Sequence, residues 1–338
     1  MRPKRILITG GAGFIGSNFT REIVAKRPDA EVVVLDKLTY AGNPDNLKEL
    51  EGNPHYKFIH GDICDEKSVL AAAKGADCIV NFAAETHVDR SIGDPASFIK
   101  TDVFGTYVLL EAARALGTAR FVQISTDEVY GTAVGRPSSE DSPLMPQSPY
   151  AASKAGADRL AYSYFVTYGT PVVITRCTNN YGPNQYPEKM VSLFVTNALE
   201  GKPLPVYGTG RNTRDWIFVA DHVAALEAVM DADGLEGEVL NIGSGVEVSV
   251  LEMAERILGI LGKPKTMIRM VKDRPGHVVR HAVATDKIRS RLGWAPAVEF
   301  ARGLELTVDW YAKNRQWWER IKSGEFREYY RKMYSEIA

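Results

Sequence analysis

Tyr150 and Lys154 stand four positions apart near the start of a segment, 149–168, whose pattern reads as a long helix, so their side chains share one face. An ammonium beside a phenol favours the phenolate and draws an ordinary pKa of ~10 toward neutrality. Such a phenolate can take the proton of a hydroxyl while hydride leaves the same carbon. By itself the spacing is common on helix surfaces. Meaning comes from Ser125-Thr126-Asp127-Glu128-Val129-Tyr130-Gly131, just beyond a strand-like run. The carboxyl end of a strand is where open α/β sheets place their chemistry. Thr126 offers a hydroxyl there, and Asp127 and Glu128 offer two carboxyl groups whose pKa values their surroundings can split into one acid and one base. A solvated turn is the plain alternative for adjacent acidic residues.

Upstream, Thr9-Gly10-Gly11-Ala12-Gly13-Phe14-Ile15-Gly16 follows a short apolar strand and opens a helix. Glycines permit the tight turn and let backbone N–H groups approach a pyrophosphate, whose charge a helix amino terminus favours. A second strand ends at Asp36, twenty residues after Gly16. Its carboxylate is placed for the hydroxyls of an adenosine ribose and would repel a 2′-phosphate, which favours NAD over NADP. Asp62-Ile63 follows the third strand, within reach of an adenine. The fourth strand runs into Phe82-Ala83-Ala84, small enough in part to let a dinucleotide pass.

The elements that must hold these groups alternate. Strands are expected at 5–9, 31–35, 56–60, 78–81, 121–124 and 172–175, and helices at 16–26, 68–74, 97–116 and 149–168. Short β-branched runs separated by helices imply an α/β fold, a doubly wound parallel Rossmann sheet. After about Arg176 the texture changes. Segments 179–188 and 208–214 have loop composition, 219–230 is helical, 239–242 is a strand, 251–262 is a helix, and a Pro/Gly loop at 273–277 precedes an aromatic helical tail. The expected organisation is an NAD-binding Rossmann domain over 1–177, with 213–242 returning to it, and a smaller interleaved substrate-binding lobe over 178–212 and 243–338.

Across 338 residues, 41 basic and 42 acidic side chains leave a formal charge of −1, without a basic run or acidic tail. That balance advertises neither nucleic acid nor a membrane surface. No apolar run approaches the length of a membrane span, and RPKRILITGG leads straight into a strand, so a cytoplasmic protein is expected. Cys64, Cys78 and Cys177 are odd in number and irregularly spaced, which suits free thiols. Neither they nor His87 and His277 have metal-ligand spacing, so no metal is expected.

The motifs TGGAGFIGS, LDKLTYAGN, GDI, AAETHVDRS, STDEVYG, SPYAASKA, RCTNNYGPNQYPEKM, GTGRNTRDWIFVADH and DRPGH together resemble the dTDP-glucose 4,6-dehydratases, members of the extended short-chain dehydrogenase/reductase superfamily. Adjacent Asp127 and Glu128 discriminate, because related epimerases and decarboxylases share the cofactor motif and the Tyr/Lys pair. The resemblance implies a cycle in which Tyr150 deprotonates the C4 hydroxyl as NAD accepts hydride. Glu128 then removes the C5 proton, Asp127 protonates the departing C6 hydroxyl, and the hydride returns to C6. It adds Lys37, Leu38, Thr39, Thr101 and Asn180 to the cofactor set, with Lys154 on the nicotinamide ribose and Thr126 on the C4 oxygen.

For a nucleotide-diphosphate hexose the resemblance implies contacts from Thr86, Asn179, Lys189, Met190 and Arg214. Pro205, Val206 and Tyr207 would line the base pocket, and Asp273, Arg274 and His277 the closing loop. A homodimer through a four-helix bundle is implied as well, and Ala151, Ala152, Ala155, Ala157 and Ala161 offer a small-residue surface for it. The match departs at Asp102 and Val246, where the family commonly has Asn, and at Val278 and His281, where it commonly has Asp and Tyr. Dehydration of dTDP-glucose is the expected reaction. A UDP- or other nucleotide hexose, an epimerase or decarboxylase reaction, and a silent NAD-binding protein are the alternatives.

Overall fold

The β-branched runs of the first half form β1 (Arg5–Thr9), β2 (Glu31–Asp36), β3 (Tyr56–His60), β4 (Cys78–Asn81), β5 (Arg120–Thr126) and β6 (Val172–Cys177) in the computed structural model, which describes residues 2–323 and 325–334. The second half adds β7 (Asn179–Tyr181), β8 (Leu204–Tyr207), β9 (Thr213–Phe218), β10 (Val239–Ile242), β11 (Glu247–Ser249), β12 (Ile268–Val271) and β13 (Arg280–His281). A seven-stranded sheet has the order β10-β6-β5-β4-β1-β2-β3, and each of its pairings is parallel. The order reverses between β1 and β4, the kind of switch point at which open sheets bind ligands beyond their carboxyl ends.

Both faces of this sheet are covered, as its near-continuous apolar strands require. On one face Phe19 and Ile23 of the helix Phe14–Lys26 and Val223, Leu226 and Val229 of the helix Val219–Asp231 pack over Ile8, Val34 and Val80. On the other, Val69, Leu109, Leu110 and Tyr164 cover Leu7, Val33 and Ile79. The helix expected over 97–116 is interrupted: Pro95–Phe98 and Thr106–Leu116 are α-helical, and Ile99–Gly105 between them is a π-helical stretch of the kind often found at functional sites.

A third core, built from Phe194, Trp216, Ile257, Tyr311 and Trp318, belongs to the smaller lobe. There β9 pairs with β7, β11 and β13, and β8 pairs with β12. Thr213–Phe218 therefore pairs outside the seven-stranded sheet, which the chain rejoins at β10. Among the described residues no helix is long and apolar enough to cross a membrane.

Candidate active site

The carboxyl ends of β1 to β6 and the facing wall of the lobe enclose a cleft of about 390 Å³. Its floor at β1 is shaped by glycine. Gly10 has φ +67°, and a Cβ there would lie 2.6 Å from the Ala83 nitrogen, so β1 and the chain after β4 touch backbone to backbone. At Gly13, which lines the cleft, a Cβ would meet only the Gly10 carbonyl oxygen, at 3.3 Å. No side chain caps the helix Phe14–Lys26, whose first N–H groups are the natural seat of a phosphate.

Asp36 ends β2 inside this cleft. Its Oδ2 accepts from the Ala12 N–H at 2.9 Å and its Oδ1 from the Leu38 N–H at 2.8 Å. Burial raises its pKa, against the pull of those two donors. Farther out, Lys37 pairs with Asp62 at 2.8 Å. Beneath the floor, Thr9 Oγ1 donates to Asn81 Oδ1 at 2.6 Å, and the Asn81 amide donates to Gln123 at 2.9 Å and Thr106 at 3.2 Å. This buried string ties β1, β4 and β5 together below Phe82–Ala84. A cradle free of side chains, an uncapped helix and a buried carboxylate at the end of β2 fit a dinucleotide.

The helix Pro149–Tyr168 is started by Ser148, which accepts from the Ala151 N–H at 3.1 Å, with Pro149 in the first turn. Tyr150 meets Phe98 edge-on, with ring centroids 6.2 Å apart. Lys154 Nζ donates to the Ile124 carbonyl oxygen at 2.7 Å. At the end of β5, Thr126 Oγ1 accepts from the Glu128 N–H at 3.3 Å and so opens the tight turn Asp127–Tyr130. Thr126, Asp127, Glu128, Tyr150 and Lys154 thus share one stretch of the cleft.

Electrostatics separates these groups. Burial holds the Asp127 carboxyl well above the usual range, and the negative charges of Glu128 and Asp215 add to this while Arg214 opposes it. Burial thus favours the protonated form of Asp127. Burial and the charge of Glu128 also push the Tyr150 phenol well above 10. The expectation that Lys154 draws this phenol toward neutrality is therefore not met in the protein alone. The ammonium is held at the Ile124 carbonyl, and burial dominates both groups.

Gly10, Gly13, Phe14, Ile15, Gly16, Asp36, Lys37, Thr39, Asp62, Ile63, Phe82, Ala83, Ala84, Thr101 and Asn180 all line the cleft, as do Thr86, Asn179, Lys189, Met190, Pro205, Tyr207, Arg214, Arg274 and His277. Three expected residues do not. Leu38 packs its side chain on the main core, with only its N–H engaged by Asp36. Val206 is fully buried in the lobe core, because alternation along β8 turns Leu204 and Val206 inward and Pro205 and Tyr207 to the cleft. Asp273 stays at the rim, where its Oδ1 faces His277 Nδ1 at 2.6 Å and accepts from the Arg274 N–H at 2.9 Å.

The lobe wall is tied to the Rossmann side by groups outside the expected set. Asp89 receives Arg274 at 3.1 Å and the Tyr207 hydroxyl at 3.1 Å. Glu188 takes a double contact from Arg90, which is sandwiched between the rings of Tyr40 and Tyr329 at 3.6 and 4.5 Å. Lys189 donates to Thr86 at 2.8 Å. Asp89, Arg90 and Glu188 all fall inside motifs read from the sequence. Trp216 and Tyr334 also line the cleft, and Tyr334 lies in the tail, where nothing in the sequence marked it.

The family model described as GDP-mannose 4,6 dehydratase matches residues 7–307. A dTDP-glucose 4,6-dehydratase from Streptomyces niveus is 52% identical over 323 residues, which span 94% of this chain and 96% of the relative. The chain belongs to the dTDP-glucose 4,6-dehydratase family. Within that family the solved structure of DesIV from Streptomyces venezuelae, with NAD bound, superposes with a TM-score of 0.92 at 49% identity, covering 94% of this chain and 100% of DesIV. A UDP-glucuronic acid 4-epimerase from Bacillus cereus, in complex with UDP-glucuronic acid and NAD, shares the fold at a TM-score of 0.87 but only 30% identity, over 91% of this chain and 99% of that one. The dehydratase likeness is thus closer than the epimerase likeness in both sequence and structure.

Proposed function

We propose that this protein is an NAD-dependent hydro-lyase that converts dTDP-glucose to dTDP-4-keto-6-deoxyglucose. The observation that carries the reading is a buried Asp127, its carboxyl pushed toward the protonated form, beside Glu128 in the same cleft as Tyr150 and Lys154. An epimerase needs no acid for a departing hydroxyl. Bound NAD, cradled by Gly10, Gly13, Phe14, Ile15, Gly16 and Asp36, supplies a reversible two-electron oxidation of the sugar.

Tyr150 would act here as the phenolate, which the positive charges of Lys154 and of a bound nicotinamide ring would favour against the burial that keeps it a phenol in the protein alone. In that form it takes the proton of the C4 hydroxyl, and Thr126 holds the C4 oxygen. With C4 a ketone, the C5 hydrogen is acidic, and Glu128 removes it as a proton. The C5–H electron pair becomes the C5–C6 double bond as the C6–O bond breaks, and Asp127 gives its proton to the leaving oxygen, so water departs. The two electrons would then return with a hydrogen from the reduced cofactor to C6, and Glu128 gives its proton back to C5, which leaves the 4-keto-6-deoxy sugar with no net oxidation. On the lobe side, Lys189, Arg214 and Arg274 face the diphosphate, for which guanidinium forks are suited. Pro205 and Tyr207 line the base pocket, with Thr86, Asn179 and Met190 toward the sugar. The two-lobe division supports this assignment, with the dinucleotide on the main sheet and the nucleotide sugar against the lobe. Exposed Phe104 on the π-helical stretch Ile99–Gly105, Tyr107 on the helix Thr106–Leu116, and Tyr162 and Val166 on the helix Pro149–Tyr168 support a homodimer through that face. Three unpaired cysteines support a reducing, cytoplasmic setting.

The test is a panel of dTDP-, UDP-, CDP- and GDP-glucose incubated with the purified protein, with products scored by mass and by a new keto group. Loss of one water from the dTDP sugar without added reductant is the expected result. Retained mass with an inverted centre would replace the reading by an epimerase, and bound NAD with every sugar unchanged would replace it by a silent binding protein.

A further inference from the structure

Next to Asp127, three buried polar atoms of Asp127 and His281 make no hydrogen bond to any described residue. β13 runs parallel to β9 with His281 opposite Arg214. This register brings His281 Nδ1 to 4.0 Å from Asp127 Oδ2, with 2% and 3% of the two side chains exposed. Asp127 Oδ2 and both ring nitrogens of His281 are buried and make no hydrogen bond. Unsatisfied buried polar atoms are rare in folded proteins because they forfeit their hydration without return. A closure of roughly one ångström would bring the pair into N–H···O range. The other carboxyl oxygen, Oδ1, is already engaged, receiving Thr126 Oγ1 at 3.2 Å.

The ionisable groups facing the pair come from five elements: Arg214 and Asp215 from β9, Glu128 from the turn after β5, Arg274 and His277 from the 273–277 loop, Tyr150 from the helix Pro149–Tyr168 and Cys177 from β6. Burial and then Arg214, Arg274 and His277 keep the His281 imidazole from accepting a second proton. A neutral ring has one N–H and one bare nitrogen, so it can serve the acid as a donor without competing for its proton.

We propose that His281 is a positioning residue for Asp127: donating from Nδ1 to Oδ2, it fixes the acid proton on Oδ1, the oxygen beside Thr126. The proposal rests on the reading of Asp127 as the acid of the elimination. In the step itself the Oδ1 proton moves to the departing C6 oxygen, and the O–H electron pair stays on the carboxyl group. The His281 N–H, which keeps its own proton throughout, then stabilises the carboxylate that is left. His281 does not line the cleft, so its effect reaches the substrate only through Asp127.

The test uses the holoenzyme and three variants, His281→Phe, His281→Asn and His281→Gln, each followed by water loss across a pH series. His281→Phe should lower kcat about tenfold with KM within about twofold, as for loss of one hydrogen bond to a charged group. It should also move the basic limb of the kcat profile up by about one pH unit, because the carboxylate form has lost its donor. His281→Asn places an amide N–H where Nδ1 stood and should restore both, whereas His281→Gln carries its amide too far out and should not. An unchanged kcat in His281→Phe, a basic limb that stays or moves down, or a Gln variant equal to the Asn variant would overturn the proposal. Should the Phe variant fail to fold, the difference between Asn and Gln decides. Asp127→Asn run alongside separates the two readings: water loss surviving in Asp127→Asn removes the acid role itself, whereas a dead Asp127→Asn beside an active His281→Phe removes only the role of His281.

Discussion

Replacing Asp102 by Asn, the residue commonly found at this place in the family, should stabilise the protein near and above neutral pH and leave it unchanged in acid. Asp102 sits in the π-helical stretch Ile99–Gly105 with 1% of its surface exposed. It accepts from the Glu85 N–H at 2.8 Å and from Ser153 Oγ at 2.5 Å. Burial, only partly offset by Lys154, pushes its carboxyl from 3.8 up to about 6. Because the folded value lies above the unfolded one, the contribution of Asp102 to stability is fully present below pH 3.8 and is lost as pH rises through about 6. A shift of about two units is worth roughly 3 kcal/mol at pH 8, about half that at pH 5, and nothing in stronger acid.

Asparagine keeps the local hydrogen bonds. Its carbonyl oxygen can accept from Glu85, and its amide can donate to Ser153 Oγ, whose own hydrogen goes to the Tyr150 carbonyl oxygen at 2.8 Å. For a chain of 338 residues, an unfolding entropy of about 2.1 cal/mol/K per residue converts roughly 3 kcal/mol into a Tm gain of about 4 °C. Scanning calorimetry of both proteins from pH 5 to pH 8 reads this directly. A Tm difference that does not change with pH, or a variant that melts lower at pH 8, would refute the reasoning.

Gly10→Ala forces a side chain onto a left-handed backbone and against the Ala83 nitrogen. It should cost about 1–3 kcal/mol from the backbone alone and more from the contact, read as a lower denaturant midpoint together with weakened NAD binding. Asp36→Asn can accept only one of the Ala12 and Leu38 N–H groups through its carbonyl oxygen. Titration calorimetry should show NAD affinity down about tenfold and the discrimination against NADP narrowed. Arg90→Met leaves the carboxylate of Glu188, 2% exposed, without its fork. Breaking a buried pair costs ~3–5 kcal/mol, and with Arg90 a quarter exposed about 2 kcal/mol is expected in chemical denaturation.

The chain's local grammar was enough for most of the seven-stranded sheet and its helices, and for the groups that meet in the cleft. Strand and helix periods, the glycines after β1, the carboxylate closing β2 and the four-residue spacing of Tyr150 and Lys154 are properties of contiguous residues, and they appear in the folded protein where the sequence put them. The lobe was less legible. β13 is only two residues long, β9 runs Thr-Arg-Asp-Trp-Ile-Phe without polar–apolar alternation, and β8 is apolar on both sides, so only packing decides that Val206 goes to the core and Tyr207 to the cleft. Protonation states were not legible at all. The Asp127 carboxyl is pushed toward its protonated form because the chain from Arg214 to His281 folds back over it, and burial raises the Tyr150 phenol while Lys154 is drawn to another partner. The pairing of Asp89 with Arg274 spans 185 residues. A sequence determines which groups are available and on which face of a strand or helix they stand. Desolvation and long-range charge, which set what those groups do, exist only once distant segments have closed around them.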